Sequence, residues 1–135
     1  MAFAIWDSAL LTGNPLIDEQ HKRLFILVNQ LHDAILKSAA HSVLADTLNQ
    51  LIEYTATHFK DEEDFWRLNN YPFLQEHITE HEKLTAQSLE IQNKFLAGQM
   101  ALTLQLSQFL KDWLNHHIKG DDKRAIDYLR EQTII

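Results

Sequence analysis

The chain has 135 residues, 45% of them hydrophobic and 23% charged, which suits one globular domain with its own core. Its 12 basic and 19 acidic residues give a net charge of −7, which argues against nucleic acid or an anionic membrane as a partner. The absence of cysteine excludes disulfides, thiolate metal sites and cysteine nucleophiles. The longest apolar run, residues 24–28, is too short to cross a membrane, and the first residues do not resemble a signal peptide. We therefore expect a cytoplasmic protein.

Apolar residues recur at helical spacing along most of the chain, and no segment alternates as a strand would. Breaks at proline, glycine and serine residues divide the pattern into four main helices. The predicted helices cover roughly 16–39, 42–69, 72–96 and 100–118. Because the connections are short, neighbouring helices run antiparallel, which predicts an all-α, up-down-up-down four-helix bundle.

The two ends of the chain are predicted to lie outside this bundle. Residues 1–15 form an N-terminal arm, residues 16–118 form the bundle, and residues 119–135 form a loop and a short helix within the same domain. Gly120 is predicted to end the fourth helix, and Asp121 or Asp122 to cap the short one.

Histidine and carboxylate side chains, which can bind a metal, fall near helix ends. The predicted topology brings these ends together at one end of the bundle. His58 and Glu62 are four residues apart, as are His77 and His81, so each pair shares a helix face. Imidazole and carboxylate groups in a core are costly unless they are paired or bind a metal. The convergence predicts a metal site. Its candidate residues are His21, His58, Glu62, His77, His81, His117 and Asp122.

The composition of this donor set limits the metal. Five imidazoles and two carboxylates are too many for one tetrahedral zinc and suit two octahedral ions. Without thiolate, iron or manganese is favoured, although imidazole also suits zinc and copper. The set differs from that of ferritin-like di-iron proteins, whose Glu-x-x-His motif does not occur in this sequence. The other histidines, His32, His41 and His116, are expected to be surface or hydrogen-bonded residues.

The joint spacing of these motifs resembles the hemerythrin family, and specifically the single-domain bacteriohemerythrins. The resemblance covers almost the whole chain. The matching segments are 17–22, 58–63, Tyr71-Pro72 followed by 77–81, and 113–118 followed by Asp122, with Trp6-Asp7 and Thr12-Gly13 near the start.

This resemblance implies reversible O₂ binding, for carriage, storage or delivery, rather than catalysis. It implies a non-heme di-iron centre whose two irons share an oxo or hydroxo bridge. His77, His81 and His117 would hold one iron, His21 and His58 the other, and Glu62 and Asp122 would bridge them.

Two further residues are predicted to line the O₂ pocket. Leu114 lies one turn before His117 and resembles the family's pocket-wall leucine. The family often has methionine where this chain has Trp66, so the indole either fills the core or reshapes the pocket.

Three alternatives remain open from the sequence. The domain could sense O₂ or redox state within a larger signalling protein, with a fused output domain or a redox partner. Residues His77, Glu80 and His81 match the H-x-x-E-H pattern of a zinc-dependent hydrolase. A helical interaction module without metal would leave the converging histidines unexplained.

Overall fold

The computed structural model describes residues 3–6 and 8–133, so that Asp7 lies outside the described residues. Within these ranges the chain is helical and contains no strand. Helix α1 packs against α2 and α4, and α2 packs against α3. The all-α bundle is therefore confirmed. The helices are α1 (Pro15–Leu36), α2 (His41–Leu68), α3 (Leu74–Leu96), α4 (Leu104–His116) and α5 (Lys123–Thr133), with a 3-10 turn at Ser8–Leu10 and a π-helical segment at His117–Asp122.

The N-terminal arm is tied to the start of α1. The side chain of Asn14 accepts a hydrogen bond from the backbone N–H of Ile17 and caps the helix. Asp18, in the first turn, accepts hydrogen bonds from the backbone N–H and the hydroxyl of Thr12, each at 2.7 Å, and from the N–H of Gly13 at 3.1 Å. These bonds fix the turn that precedes His21.

The first three helices each end at a residue with left-handed backbone conformation. Ser38 follows α1 with φ of 50°, Asn70 follows α2 with φ of 55°, and Gly98 follows α3 with φ of 75°. A left-handed residue just beyond a helix is a common way to satisfy its last carbonyl groups. Gly98 ends α3 as the sequence predicted.

Gly120 does not end the fourth helix, and this prediction was wrong. The chain continues from α4 through the π-helical segment directly into α5, without the predicted loop. Gly120 does not have a left-handed backbone conformation. A Cβ at this position would lie 3.8 Å from Cε1 of His116, which is an ordinary van der Waals contact. Five residues of α-helix would turn the Cα of Asp122 by about 140° from that of His117. The wider π turn instead brings the two to one face.

Two hydrophobic clusters fill the bundle. The terminal cluster consists of Ile17, Trp66, Tyr71, Ala125 and Ile126. The central cluster consists of Ala4, Leu10, Leu24, Phe25, Leu27, Val28, Leu31, Leu48, Leu51, Phe95, Leu102, Leu114 and Ile118. The predicted metal site lies between them, because Leu114 and Ile118 of the central cluster flank His117 in the chain, while Trp66 of the terminal cluster adjoins His77.

Candidate metal centre

Four segments of the bundle bring all seven candidate metal ligands together. Helix α1 supplies one histidine, α2 a histidine and a carboxylate, α3 two histidines, and the π-helical segment a histidine and a carboxylate. Each residue is at most 4% exposed. The seven residues are His21, His58, Glu62, His77, His81, His117 and Asp122.

Glu62 lies at the middle of this cluster, with each carboxylate oxygen facing two imidazoles. Its Oε2 is 3.2 Å from Nε2 of His21 and 3.1 Å from Nε2 of His58. Its Oε1 is 3.2 Å from Nε2 of His81 and 3.0 Å from Nε2 of His117. The carboxylate therefore spans two groups of nitrogens.

Asp122 spans the cluster from the opposite element. Its Oδ1 is 2.8 Å from Nε2 of His77, and its Oδ2 is 2.7 Å from Nε2 of His21 and 2.9 Å from Nε2 of His117. All five histidines thus present Nε2 to the two carboxylates. The ligand atoms form two overlapping sets, and within each set they all lie within 4.8 Å of one another. One set consists of His21, His58, Glu62, His117 and Asp122, and the other of Glu62, His77, His81 and His117.

Several of these close approaches are not hydrogen bonds. Nε2 of His58, Nε2 of His81 and Oδ2 of Asp122 are buried and make no hydrogen bond, although each has an opposing nitrogen or oxygen within 3.2 Å. Buried polar atoms normally have a partner. Close approach without hydrogen bonding is expected of ligand atoms that converge on a shared metal ion. The donor set therefore fits a metal.

In the metal-free site, burial and neighbouring charges have opposite effects on the pKa values of the histidines and of Glu62. Burial lowers the pKa of His117, but the negative charges of Asp122 and Glu62 outweigh it and raise that pKa well above its ordinary value. The pKa of His21 is raised by the same two carboxylates against the same opposing effect of burial. Burial raises the pKa of Glu62, but the charges of His58 and His117 outweigh it, so the pKa is well below its ordinary value. A metal ion would displace the protons held here.

Two hydrogen bonds from outside the cluster orient its histidines. Gln20 donates its Nε2–H to Oδ2 of Asp61 at 2.6 Å, which leaves its Oε1 to accept from Nδ1 of His58 at 2.8 Å. Nδ1 of His81 donates to Oε2 of Glu63, also at 2.8 Å. A proton on Nδ1 leaves the Nε2 lone pair free, so each bond selects the tautomer that binds a metal through Nε2.

Sequence reasoning assigned no role to Gln20, Asp61 or Glu63. Asp61 and Glu63 lie in an acidic run that reads as a solvated helix face. Their positions in the sequence could have indicated a role, because each of the three residues directly precedes or follows a candidate ligand. Adjacent side chains on a helix point about 100° apart, so a neighbour of one ligand can reach the outer edge of another.

Aromatic rings stack on the faces of two of the histidines. Phe59 stacks on His81 with ring centroids 3.8 Å apart and an interplanar angle of 3°. Trp113 stacks on His117 at 4.8 Å and 11°. These contacts restrict rotation of the imidazoles and cover the cluster with apolar surface.

Leu114 lies in the central cluster and lines an apolar cavity of about 30 Å³. Trp113 lines the same cavity and stacks on His117, so the cavity adjoins the histidine cluster. The cavity is small and mostly apolar, as a pocket for a diatomic molecule would be. The other lining residues are Leu24, Val28, Leu48, Leu51, Ile52, Thr55, Leu84, Ser88, Ile91, Leu106 and Leu110.

Trp66 lies elsewhere. It is fully buried in the terminal cluster and does not line the cavity beside Leu114. Its ring centroid is 5.5 Å from that of His77. The two predicted pocket-wall residues therefore approach the site from different sides, and a contact between Trp66 and O₂ stays a prediction.

The remaining three histidines lie outside the cluster, as predicted. His41 and His116 are exposed. His32 is half-buried and stacks on Phe3 with ring centroids 3.8 Å apart.

An all-α bundle with a buried, histidine-rich cluster on four segments defines a helical metal-binding protein. Residues 12–129 match the family of the hemerythrin HHE cation binding domain, and the chain belongs to this family. It is 35% identical to the bacteriohemerythrin of Pseudomonas aeruginosa (strain LESB58) over 130 residues, which cover 96% of this chain and 84% of that protein.

Other relatives agree. The bacteriohemerythrin of Methylococcus capsulatus is 36% identical over 124 residues, which cover 91% of this chain and 94% of that protein. A crystal structure of wild-type hemerythrin superposes with a TM-score of 0.90 at 34% identity, over 95% of this chain and 98% of the other.

Proposed function

We propose that this protein binds O₂ reversibly at a non-heme di-iron centre and acts in its carriage, storage or delivery rather than as an enzyme. The observation that carries the proposal is the position of the two carboxylates. One oxygen of Glu62 faces His21 and His58, and its second oxygen faces His81 and His117. Asp122 lies beside His77 through Oδ1 and reaches His21 and His117 through Oδ2. Two bridging carboxylates suit a pair of metal ions, and a single tetrahedral ion would leave several of the seven residues unused.

The donors divide unequally between two ions. His77, His81 and His117 would hold one iron, and His21 and His58 the other, with Glu62 and Asp122 shared by both. The second iron would keep an open position, because it has one imidazole fewer. When bound with an oxo or hydroxo bridge, the iron pair would supply reversible electron exchange with O₂.

The chain's own residues supply orientation and exclusion of water. Gln20 and Glu63 hold the tautomers of His58 and His81. Leu114 and Trp113 place an apolar cavity beside the cluster. A dry site limits the entry of water and acid, which would otherwise let reduced oxygen species escape.

The zinc hydrolase alternative has less support. It needs Glu80 to act as a base beside a metal held by His77 and His81. Glu80 is exposed on α3, whereas both histidines are buried and face Glu62 or Asp122. No observation favours this reading.

An O₂ or redox sensor would use the same site and differ only in its partner. A fused output domain or a redox partner stays a prediction. We also propose a cytoplasmic location, because the first residues do not resemble a signal peptide, and no nucleic-acid or membrane partner, because the net charge is −7. No helix in the described ranges is long and apolar enough to cross a membrane.

Metal analysis joined to a spectrum tests the proposal. We expect two irons per chain, and a visible band that disappears on anaerobic reduction and returns on admission of air. His117→Ala should lose both iron and band, whereas His116→Ala, the adjacent exposed histidine, should keep them. A single equivalent of zinc with peptidase activity, or an unchanged spectrum after air is admitted, would contradict the proposal.

A further inference from the structure

Apart from its predicted place at the O₂ pocket, the buried indole of Trp66 has no role in the function proposed above. The residue is 0% exposed, and its Nε1–H makes no hydrogen bond. Its ring centroid lies 5.5 Å from that of His77, one of the candidate iron ligands. Indole differs from a benzene ring in that it is readily oxidised by one electron.

Two tyrosines continue from Trp66 toward the surface. The ring centroid of Tyr71 is 5.7 Å from that of Trp66, and the N–H of Tyr71 donates to the carbonyl of Trp66 at 3.0 Å. The ring of Tyr128 is a further 5.7 Å from that of Tyr71. Tyr71 is buried and Tyr128 is half-buried, so the series runs from the metal site to solvent.

Indole and phenol are the aromatic side chains that give up an electron most readily. Phe65 and Phe73 also contact Trp66 and Tyr71, but a benzene ring does not serve as such a donor. Three oxidisable rings in successive contact allow an electron to move in short steps, where a single step over the whole distance would be slow.

We propose that Trp66, Tyr71 and Tyr128 form a relay that carries oxidising equivalents away from the metal site. The proposal rests on the proposed function, because it needs iron beside His77. The oxidant is hydrogen peroxide, which an O₂-binding iron site produces whenever bound O₂ leaves in reduced form. The relay protects the buried ligands by moving the damage to the surface.

The electrons and protons balance as follows. For each equivalent, Trp66 gives an electron toward His77 and is restored by Tyr71, which is restored by Tyr128. Tyr128 then holds a phenoxyl radical, and its phenol proton has passed to solvent. A small one-electron reductant such as ascorbate returns a hydrogen atom to Tyr128. Two such rounds, with two protons from solvent, convert one hydrogen peroxide into two waters.

The other tryptophan beside the cluster does not offer this route. Trp113 stacks on His117, but its further ring contact among the described residues is Phe59. A hole formed on Trp113 would therefore stay within the site. Tyr54 is a partly buried tyrosine on α2 without a ring contact to Trp66, and it serves as a matched control.

Rapid freezing of the iron-loaded protein, with both irons in the ferric state so that they do not supply the electrons themselves, after addition of one equivalent of hydrogen peroxide tests the relay. We expect an electron paramagnetic resonance signal of a tyrosyl radical, and peptide mass spectrometry should find oxidation at Tyr128 that ascorbate suppresses. Tyr128→Phe should lose this signal, and Tyr54→Phe should keep it. Trp66→Phe should lose the radical at Tyr128, and Trp66→Tyr should restore it because a phenol is oxidisable.

Iron content and the visible band are measured on every sample. A Trp66→Phe protein that loads iron normally and still forms the Tyr128 radical in full overturns the relay, as does a loaded wild-type protein with no tyrosyl radical. Failure to load iron at all would instead overturn the proposed function. If Trp66→Phe fails to fold, the comparison of Tyr128→Phe with Tyr54→Phe and the site of oxidation in the wild type decide the question.

Discussion

The two halves of helix α1 bury the same face in opposite kinds of surroundings. Toward its C-terminal end, Leu24, Val28 and Leu31 pack into the central cluster with at most 3% exposure. One turn earlier, His21 is equally buried but meets Glu62 and Asp122. The hydrophobic pattern sets which face is buried, and the chemistry of that face changes within a single turn.

This difference has an energetic consequence. Burial of a leucine is favourable in itself, at about 25 cal/mol for each Å² of apolar surface. Burial of an imidazole or a carboxylate is unfavourable unless a partner compensates it. A metal ion that binds only the folded chain stabilises that state. The apolar half of the bundle should therefore be stable on its own, and the stability of the metal pole should depend on occupancy.

Removal of the central carboxylate should have the largest effect on the metal pole. Glu62→Ala deletes the group that faces four of the five imidazoles, and we expect bound iron to fall to background. The melting temperature should then fall to that of the metal-free wild type or below it, because Glu62 also stabilises the protonated His117 of the metal-free protein. The metal-free wild type should itself melt below the loaded protein. Glu80→Ala, an exposed carboxylate on α3, is the control and should retain iron. Full iron content in Glu62→Ala would refute the bridging role.

Truncation of a leucine in the central cluster should have the opposite result, with a loss of stability and no loss of iron. Leu31 is 0% exposed, and Leu31→Ala should cost about 2–5 kcal/mol of unfolding free energy from lost burial and an unfilled cavity. Iron content per folded chain should stay unchanged. Leu36→Ala, on the same helix but 57% exposed, should change stability by about 0.5 kcal/mol or less. Loss of iron from folded Leu31→Ala would show that the two halves are not separable.

The same contrast explains what the sequence could predict. Apolar spacing gave the helices, and the spacing of His58 and Glu62 gave a shared face, because both follow from the period of an α-helix. The level of each histidine along the bundle followed from helix length. Fold and ligand convergence were therefore readable, since they depend on regular geometry.

Irregular geometry was not readable. Gly120 suggested a helix end, yet only a left-handed conformation makes glycine a stop, and Gly120 does not adopt one. The π-helical segment leads directly into α5, whose Ala125 and Ile126 pack in the terminal cluster, and such long-range packing is not visible in a local sequence pattern. The partners Gln20 and Glu63 were likewise hidden, because a polar residue on a helix usually faces solvent and only the packed neighbours decide otherwise.

Loss of an orienting partner should have an intermediate effect. Gln20→Leu and Glu63→Leu remove the acceptors of His58 and His81, and each should weaken metal affinity by about 10–100-fold, typical for a partner that fixes a ligand's tautomer. Titration of the metal-free protein with a spectroscopic ion such as Co²⁺ measures this. Asp64→Leu is the control, because Asp64 pairs with Lys60 and Arg67 at the surface and contacts no candidate ligand among the described residues. Equal affinities in all three variants would show that the bonds do not prepare the site.

The smallest expected effect is a pH trend that separates the metal-free from the loaded protein. In the metal-free protein the pKa values of His21 and His117 are raised above the ordinary value of 6.5. Their contribution to stability is complete below pH 6.5 and is lost as the pH rises through the raised values. The pKa of Glu62 is lowered below its ordinary 4.5, so its contribution is complete above pH 4.5 and is lost as the pH falls through the lowered value.

The metal-free protein should consequently melt highest between about pH 4.5 and 6.5 and lose stability on the alkaline side. Metal binds imidazole in its neutral form, so the loaded protein has no protons to lose from these histidines. The difference in melting temperature between the two forms should therefore widen as the pH rises above 6.5. Thermal unfolding at a series of pH values, with and without iron, measures this difference. A constant difference across that range would mean that the imidazoles of the metal-free pole are not held protonated by Glu62 and Asp122.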